Sequence, residues 1–360
     1  MEKKETIEEY LEKKKKEIDQ IIEKHFPRKI DEKWLKLVFG KPRYSFSKKA
    51  GQEVLTKPVW ELLERGGKRW RPALFLLILE ALGKDPKQFL DFAMIPELIH
   101  NGSLITDDVE DQGELRRGKP CLHRMFGVDV AINAGNFLYF FPFHLLFKKK
   151  RKLKKETLLR FYETSLQEMI NIHLGQGTDI FWHRGKAKRI EEKEYLQMCA
   201  FKTGCLARMA AKLAVVLANG DEKLAEKIGY FAESLGIAFQ IQDDILDLTL
   251  TGKEREKFGK SFGNDIKEGK RTLMVVYTLK KANKRDKKRL LEILDKHTDD
   301  ETEKKEAIEI IKKYGGIDYA KKVAKKLVKE SWQGVEKLLP ESRAKERLRE
   351  LFLYLIERKL

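Results

Sequence analysis

Two five-residue segments of this chain carry the same acidic pattern. Asp107-Asp108-Val109-Glu110-Asp111 and Asp243-Asp244-Ile245-Leu246-Asp247 are both Asp-Asp-x-x-Asp. On a helix, residues four apart lie one turn apart on a single face. Asp107 and Asp111 therefore present paired carboxylates, and so do Asp243 and Asp247. Clustered carboxylates repel one another, and acidic groups at a helix C-terminus oppose the helix dipole. A hard divalent cation relieves both. Magnesium takes oxygen ligands, keeps several waters, and bridges carboxylates to substrate phosphates. Asp107, Asp108, Asp111, Asp243, Asp244 and Asp247 are the candidate magnesium ligands. One such motif alone is equally an ordinary solvated helix end. Two copies, each ending a long apolar run (Phe89 to Ile105 and Tyr230 to Ile241), weaken that reading.

Four basic segments accompany the carboxylates. They are Gly66-Gly67-Lys68-Arg69-Trp70-Arg71-Pro72, Arg116-Arg117-Gly118, Lys202-Thr203-Gly204, and Gly259-Lys260 with Asp265 to Thr272. Paired glycines expose backbone N–H groups, and lysine and arginine bind phosphate oxygens. Each segment alone says little in so basic a chain. Together they suit two diphosphates, one held through magnesium and the carboxylates, the other by direct Lys and Arg contacts.

The elements that must position these groups read as helices. Hydrophobic residues make up 42% of the 360 and Pro only 9, and long stretches are rich in good helix formers. From Val59 onward, helical periods alternate with breaks near Gly83–Lys87, Gly113–Pro120, Lys148–Lys155, Arg184–Glu192, Gly220–Glu222, Thr249–Asn264 and Asp295–Thr302. No strand pattern of period two recurs over neighbouring segments. The expectation is an all-α fold, with a charged N-terminal helix and irregular arm over 1–58 and a helical domain over 59–360. The net charge is +18, but the lysines are interleaved with glutamates, as in Lys321 to Glu330. That pattern marks a charged surface rather than a nucleic-acid site, and no zinc spacing or RNA-binding motif is present. Cys121, Cys199 and Cys205 form no CxxC pair, which fits a reducing cytoplasm. The charged N-terminus lacks the apolar stretch of a secretory signal. The best apolar run, Ala73 to Leu82, is too short to span a bilayer, so no transmembrane segment is expected.

In order along the chain, Gly-Gly-Lys-Arg-Trp-Arg-Pro is followed by Ile99-His100, the first acidic motif, and Arg116-Arg117-Gly118. Then come Gly175-Gln176-Gly177-Thr178-Asp179, Lys202-Thr203-Gly204, and Phe239-Gln240-Ile241-Gln242-Asp243-Asp244. This series resembles the trans-isoprenyl diphosphate synthases over roughly residues 55–350. The resemblance implies a bundle of long helices around a deep central cavity, and a homodimer. It implies that isopentenyl diphosphate is joined to an allylic diphosphate, with Asp107, Asp111, Asp243, Lys202 and Lys260 catalytic. Arg116, Lys202, Thr203, Gln240, Lys260 and Lys270 would bind the allylic diphosphate. Lys68, Arg71, His100 and Arg117 would bind isopentenyl diphosphate. A lone histidine on an apolar helix is usually a packed core residue. His100, however, stands two turns before Asp107 on the same face. The segment Thr249–Asn264 is a lid candidate.

Gly102 and Ser103, five and four residues ahead of Asp107, are small and leave the growing tail unblocked at C15. With Asn101 and the first acidic motif they are similar to the eukaryote-type geranylgeranyl synthases. A floor is expected from the aromatic run Asn136 to Phe141, with Phe137 and Phe140 as candidates, although an aromatic run at helical spacing is often simply core. C20 is the expected product and C25 or longer the alternative. A class I terpene cyclase would not need Gly66–Pro72 or a second acidic motif. A non-catalytic synthase subunit would be expected to have lost an acidic motif, and both are complete here.

Overall fold

The apolar stretches become helices buried to different depths in the computed structural model, which describes residues 5–149, 152–187, 189–250, 252 and 262–357. In chain order they are α1 (Ile7–His25), α2 (Glu32–Phe39), α3 (Lys48–Gly51), α4 (Lys57–Leu63), α5 (Trp70–Ala81), α6 (Met94–Glu110), α7 (Leu122–Phe126), α8 (Val128–Phe140), α9 (His144–Lys149) and α10 (Lys155–His183). They continue as α11 (Glu192–Cys199), α12 (Cys205–Leu217), α13 (Glu222–Thr249), α14 (Asn264–Lys267), α15 (Leu273–Lys281), α16 (Lys284–Asp295), α17 (Glu301–Lys313), α18 (Gly316–Val335) and α19 (Arg343–Glu357). The all-α expectation holds. Among the described residues the one extended pairing is a hairpin of β1 (Leu115–Arg116) with β2 (Lys119–Pro120), Leu115 opposite Pro120.

Helices that are apolar on nearly every face belong in the middle of a protein. α5 and α12 sit there, with Leu74 to Leu79 and Leu213 to Val215 fully buried. α12 packs on α5, α10 and α13, and α6 packs along α8. The N-terminal residues join this core: Ile18, Ile22 and Phe26 are buried in it. Residues 52–56 form a π-helical turn that runs directly into α4. The helical path is therefore continuous across residue 58. The interleaved charges pair along helix faces, as in Lys36–Glu32, Lys57–Glu53 and Lys326–Glu330.

Hydropathy along the sequence singled out Ala73–Leu82. In the structure, the one helical stretch among the described residues long and apolar enough to cross a membrane is instead Val128–Lys149, with 56% of its most apolar 18 consecutive residues buried inside the protein.

Candidate active site

The first acidic motif ends α6. Asp107 and Asp108 lie in its last turn and Asp111 is its C-cap. The second lies within the last two turns of α13. Asp107, Asp108 and Asp111 from one helix, and Asp243 and Asp244 from the other, wall a single hollow of about 450 Å³. Lys68, Arg71, His100, Arg116, Arg117, Lys202, Thr203, Gln240 and Lys270 line the same hollow. Lys260 and most of the lid candidate lie outside the described residues.

On the acidic side, cations rest on the carboxylates. Lys202 Nζ is 2.6 Å from Asp179 Oδ2 and 3.2 Å from Asp107 Oδ1. Arg116 donates from Nε to Asp108 Oδ1 at 2.8 Å and from Nη2 to Asp107 Oδ2 at 3.2 Å. Lys270 Nζ lies 3.6 Å from Asp111 Oδ2 and 2.5 Å from Glu268 Oε2. Burial works against ionising Asp107, but Lys202 and Arg116 outweigh it and hold its carboxyl well below the usual range. Asp111 goes the other way. Burial and the Asp107 charge push it up to about 7. Lys202 is raised: burial opposes its charge, and Asp107 and Asp179 overcome that.

The cationic turn is shaped by packing. Ala200–Gly204 is π-helical, a form common at functional sites. A Cβ on Gly175 of α10 would meet Lys202 N at 2.2 Å, and one on Gly236 of α13 would meet Gly204 Cα at 2.6 Å. Both glycines let the turn sit between these helices. Thr203 Oγ1 donates to Gln240 Oε1 at 2.8 Å, and Gln240 Nε2 to Asp244 Oδ1 at 2.8 Å.

The carboxylates differ in availability. Asp108 is engaged by Arg116, and Asp244 accepts from Tyr195 OH at 3.0 Å. Asp247 is fully buried and accepts the Asp265 N–H at 3.0 Å, away from the hollow's wall. Asp111 Oδ1 is buried without a hydrogen-bond partner. Among the described residues no three His, Cys, Asp or Glu side chains converge tightly enough to enclose an ion alone. An all-oxygen set that leaves most positions to water and diphosphate oxygens fits a hard divalent cation.

On the other side, Arg71 is buried with Nε unpartnered. His100 is neutral: burial, then the Arg71 and Arg117 charges, hold it well below the ordinary histidine value. Burial lowers Arg117 to about 10 despite Glu97. Beneath them Glu97 Oε1 accepts from Arg69 Nη1 and Asn101 Nδ2, each at 2.9 Å. Sequence reasoning missed Glu97. Its signal was a lone acid inside an apolar helix. It also gave no role to Gln176, which donates to Asp107 Oδ1 at 3.0 Å, or to Asp179, Tyr195 and Glu268.

The apolar part of the hollow is lined by Leu104, Tyr139, Ile172, Met198, Leu206 and Phe239. Ser103 faces it. Gly102 does not: a Cβ there would meet Gly135 O at 2.8 Å and Leu138 Cβ at 2.9 Å, so the missing side chain makes room for α8. Phe137 also turns away, to stack on Phe39 and Phe141 at 6.0 and 5.1 Å, and Phe140 is 68% exposed. The ring of that run that reaches the hollow is Tyr139, with its hydroxyl 3.0 Å from Thr106 Oγ1 and its ring 5.6 Å from His173.

Comparison with known proteins gives a consistent result. The polyprenyl synthetase family pattern matches residues 52–311. A short chain isoprenyl diphosphate synthase of Methanothermobacter thermautotrophicus is 36% identical over 245 residues, 67% of this chain and 72% of that protein. A geranylgeranyl diphosphate synthase of Methanosarcina mazei is 36% identical over 234 residues, 65% of this chain and 70% of that one. The crystal structure of geranylgeranyl pyrophosphate synthetase from Pyrococcus horikoshii superposes with a TM-score of 0.82 at 33% identity, covering 98% of this chain and 99% of that one.

Proposed function

The chain belongs to the polyprenyl synthetase family and is a trans-prenyl diphosphate synthase; from that premise we propose that it joins isopentenyl diphosphate to an allylic diphosphate with magnesium and releases geranylgeranyl diphosphate. One observation carries the reading: five aspartates from two helices and two separate sets of cations face one hollow.

Asp107 and Asp111 on α6 and Asp243 on α13 are the residues that would hold magnesium. When bound, the ions neutralise charge that builds on the departing diphosphate. Lys202, Arg116 and Lys270 lie on the carboxylates in this structure. They are placed to turn toward phosphate oxygens as the allylic C–O bond breaks and its electrons leave with the diphosphate. Lys68, Arg71, Arg117 and His100 hold the second diphosphate. They fix its double bond against the allylic carbon, so that the new C–C bond forms within one complex. The attack leaves the positive charge on the tertiary carbon of the isopentenyl unit. The adjacent CH2 on the diphosphate-bearing side gives up a proton to the departed diphosphate, the base the reaction itself supplies, and the C–H electrons reform the double bond. The apolar wall formed by Leu104, Ile172, Met198, Leu206 and Phe239 keeps water from the allylic cation. The tail would run past Ser103, with Tyr139 and His173 bordering its path. The names borne by the Methanosarcina and Pyrococcus relatives support C20.

A second copy of the chain is proposed to cover the apolar face of α8 and α10. Val128, Ile132 and Phe140 on α8, and Leu166, Ile170, Leu174 and Phe181 on α10, are exposed at helical spacings, and an apolar stripe of this kind marks an interface. The buried, unpaired cysteines suit the cytoplasm.

The test is to incubate the protein with labelled isopentenyl diphosphate, magnesium and each of three allylic primers (dimethylallyl, geranyl and farnesyl diphosphate), and to size the products by chromatography. A C20 product is expected. Products of C25 or more would reject the proposed length, and no elongation with any primer would reject the activity.

A further inference from the structure

We propose that Arg65, which no motif contains, is a positioning residue that clasps the Arg116–Arg117 hairpin to the end of α4 and so fixes both diphosphate sites as one unit. The inference rests on the function proposed above and deepens it.

The Arg65 side chain is only 1% exposed. Its Nη1 donates to Arg116 O at 3.0 Å, to Pro120 O at 2.9 Å and to Lys119 O at 3.4 Å, and its Nε donates to Glu61 O at 3.2 Å. One guanidinium thus ties three carbonyls of the hairpin to the last turn of α4. The hairpin answers in kind. Arg117 Nη1 donates to Gly66 O and, at 3.3 Å, to Leu62 O. Helix ends leave carbonyls without partners, and arginines are suited to cap them. Each arginine here serves the backbone of the segment that carries the other.

The clasp is needed because the hairpin is poorly held by its own conformation. Its two-residue turn has φ of 54° at Arg117 and 75° at Gly118. Glycine accepts such values, but an arginine there is strained. Two paired residues per strand cannot hold it alone. Yet Arg116 must meet Asp107 and Asp108 on α6, while Arg117 must face Arg71 and His100. Anchoring to α4 also joins the hairpin to Gly66–Arg71, which follows α4 directly. A lysine at 65 could keep the charge and the apolar stem but could not donate in a fixed fork to several carbonyls.

The experiment compares wild type with Arg65→Ala and Arg65→Lys, in steady-state condensation assays and in calorimetric titration with inorganic diphosphate plus magnesium chloride. Thermal melting serves as the fold control. The expected result is KM for both substrates about tenfold higher in each variant, from lost pre-organisation, with kcat within about threefold and diphosphate affinity about tenfold weaker. The lysine variant should not rescue. Wild-type KM values and diphosphate affinity in the folded lysine variant would overturn the proposal, whatever the alanine variant does. Absence of condensation by the wild type would instead reject the function, and the diphosphate titration would still judge the clasp.

Discussion

A single methyl group at Gly175 should disable this enzyme while leaving it folded. The Cβ of Gly175→Ala would lie 2.2 Å from Lys202 N, 2.6 Å from Phe201 C and 2.8 Å from Lys202 Cα, whereas ordinary contact begins near 3.4 Å. The π-helical turn must therefore retreat by about an ångström. It cannot move freely toward α13, because Gly236 already meets Gly204 there. Overpacking of this kind costs about 1–3 kcal/mol of stability. The functional cost is larger. Lys202 is held at 2.6 Å from Asp179 and 3.2 Å from Asp107, and displacing such a group by 1 Å lowers turnover on the order of 100-fold. Gly177 is the internal control: nothing lies within 4 Å of its Cβ position. Gly177→Ala should keep kcat and gain about 0.5–1 kcal/mol from reduced chain entropy. The assay is kcat for condensation alongside thermal melting. A folded Gly175→Ala enzyme with kcat within twofold of wild type would refute the reasoning.

Other perturbations separate the roles of neighbouring residues. Asp107→Ala and Asp243→Ala should each abolish turnover while the protein still melts cooperatively; activity in both would remove the metal assignment. Ser103→Phe should shorten the product seen by chromatography, because Ser103 faces the hollow. Gly102→Phe should instead destabilise by several kcal/mol through its clash with Gly135 and Leu138, read as a lost melting transition; a stable variant with shortened product would contradict that placement. Asp111 has a folded-state value raised to about 7 by burial and by Asp107. Its contribution to stability is thus fully present below the unfolded carboxylate value and is lost as pH rises through about 7. In metal-free buffer Asp111→Asn should melt above wild type at pH 8, with the gap closing toward pH 4; a gap independent of pH would contradict this. Leu174→Glu, on the apolar face of α10, should halve the mass in sedimentation, and an unchanged mass would argue against the proposed dimer face.

The chemistry was more legible than the packing. Asp107, Asp111 and Asp243 stood out because the same four-residue carboxylate spacing recurs at the ends of two long apolar runs, and the helices that carry them announced themselves by period. Residues whose meaning depends on a distant partner did not. Tyr195 finds Asp244, 49 positions on, and Glu97 reads as an oddity in an apolar helix until Arg69 and Asn101 surround it. The aromatic run at 136–141 puts rings on α8 in three directions, at Phe137, Tyr139 and Phe140. The arm around Trp34 and Phe39 decides that Phe137 turns outward and leaves Tyr139 to the hollow. A π turn such as Ala200–Gly204 leaves no mark on a 3.6-residue period. It could be inferred only from glycines on two other helices.

The proposed reaction requires α6 and α13 to share one set of ions with one diphosphate. Crystals grown with an unreactive allylic diphosphate analogue and manganese in place of magnesium would locate those ions by anomalous scattering. Peaks inside the hollow, bound by Asp107 and Asp111 on one side and Asp243 on the other and bridged to the diphosphate, are the expected result. Ions held by one motif alone, or found outside the hollow, would contradict it.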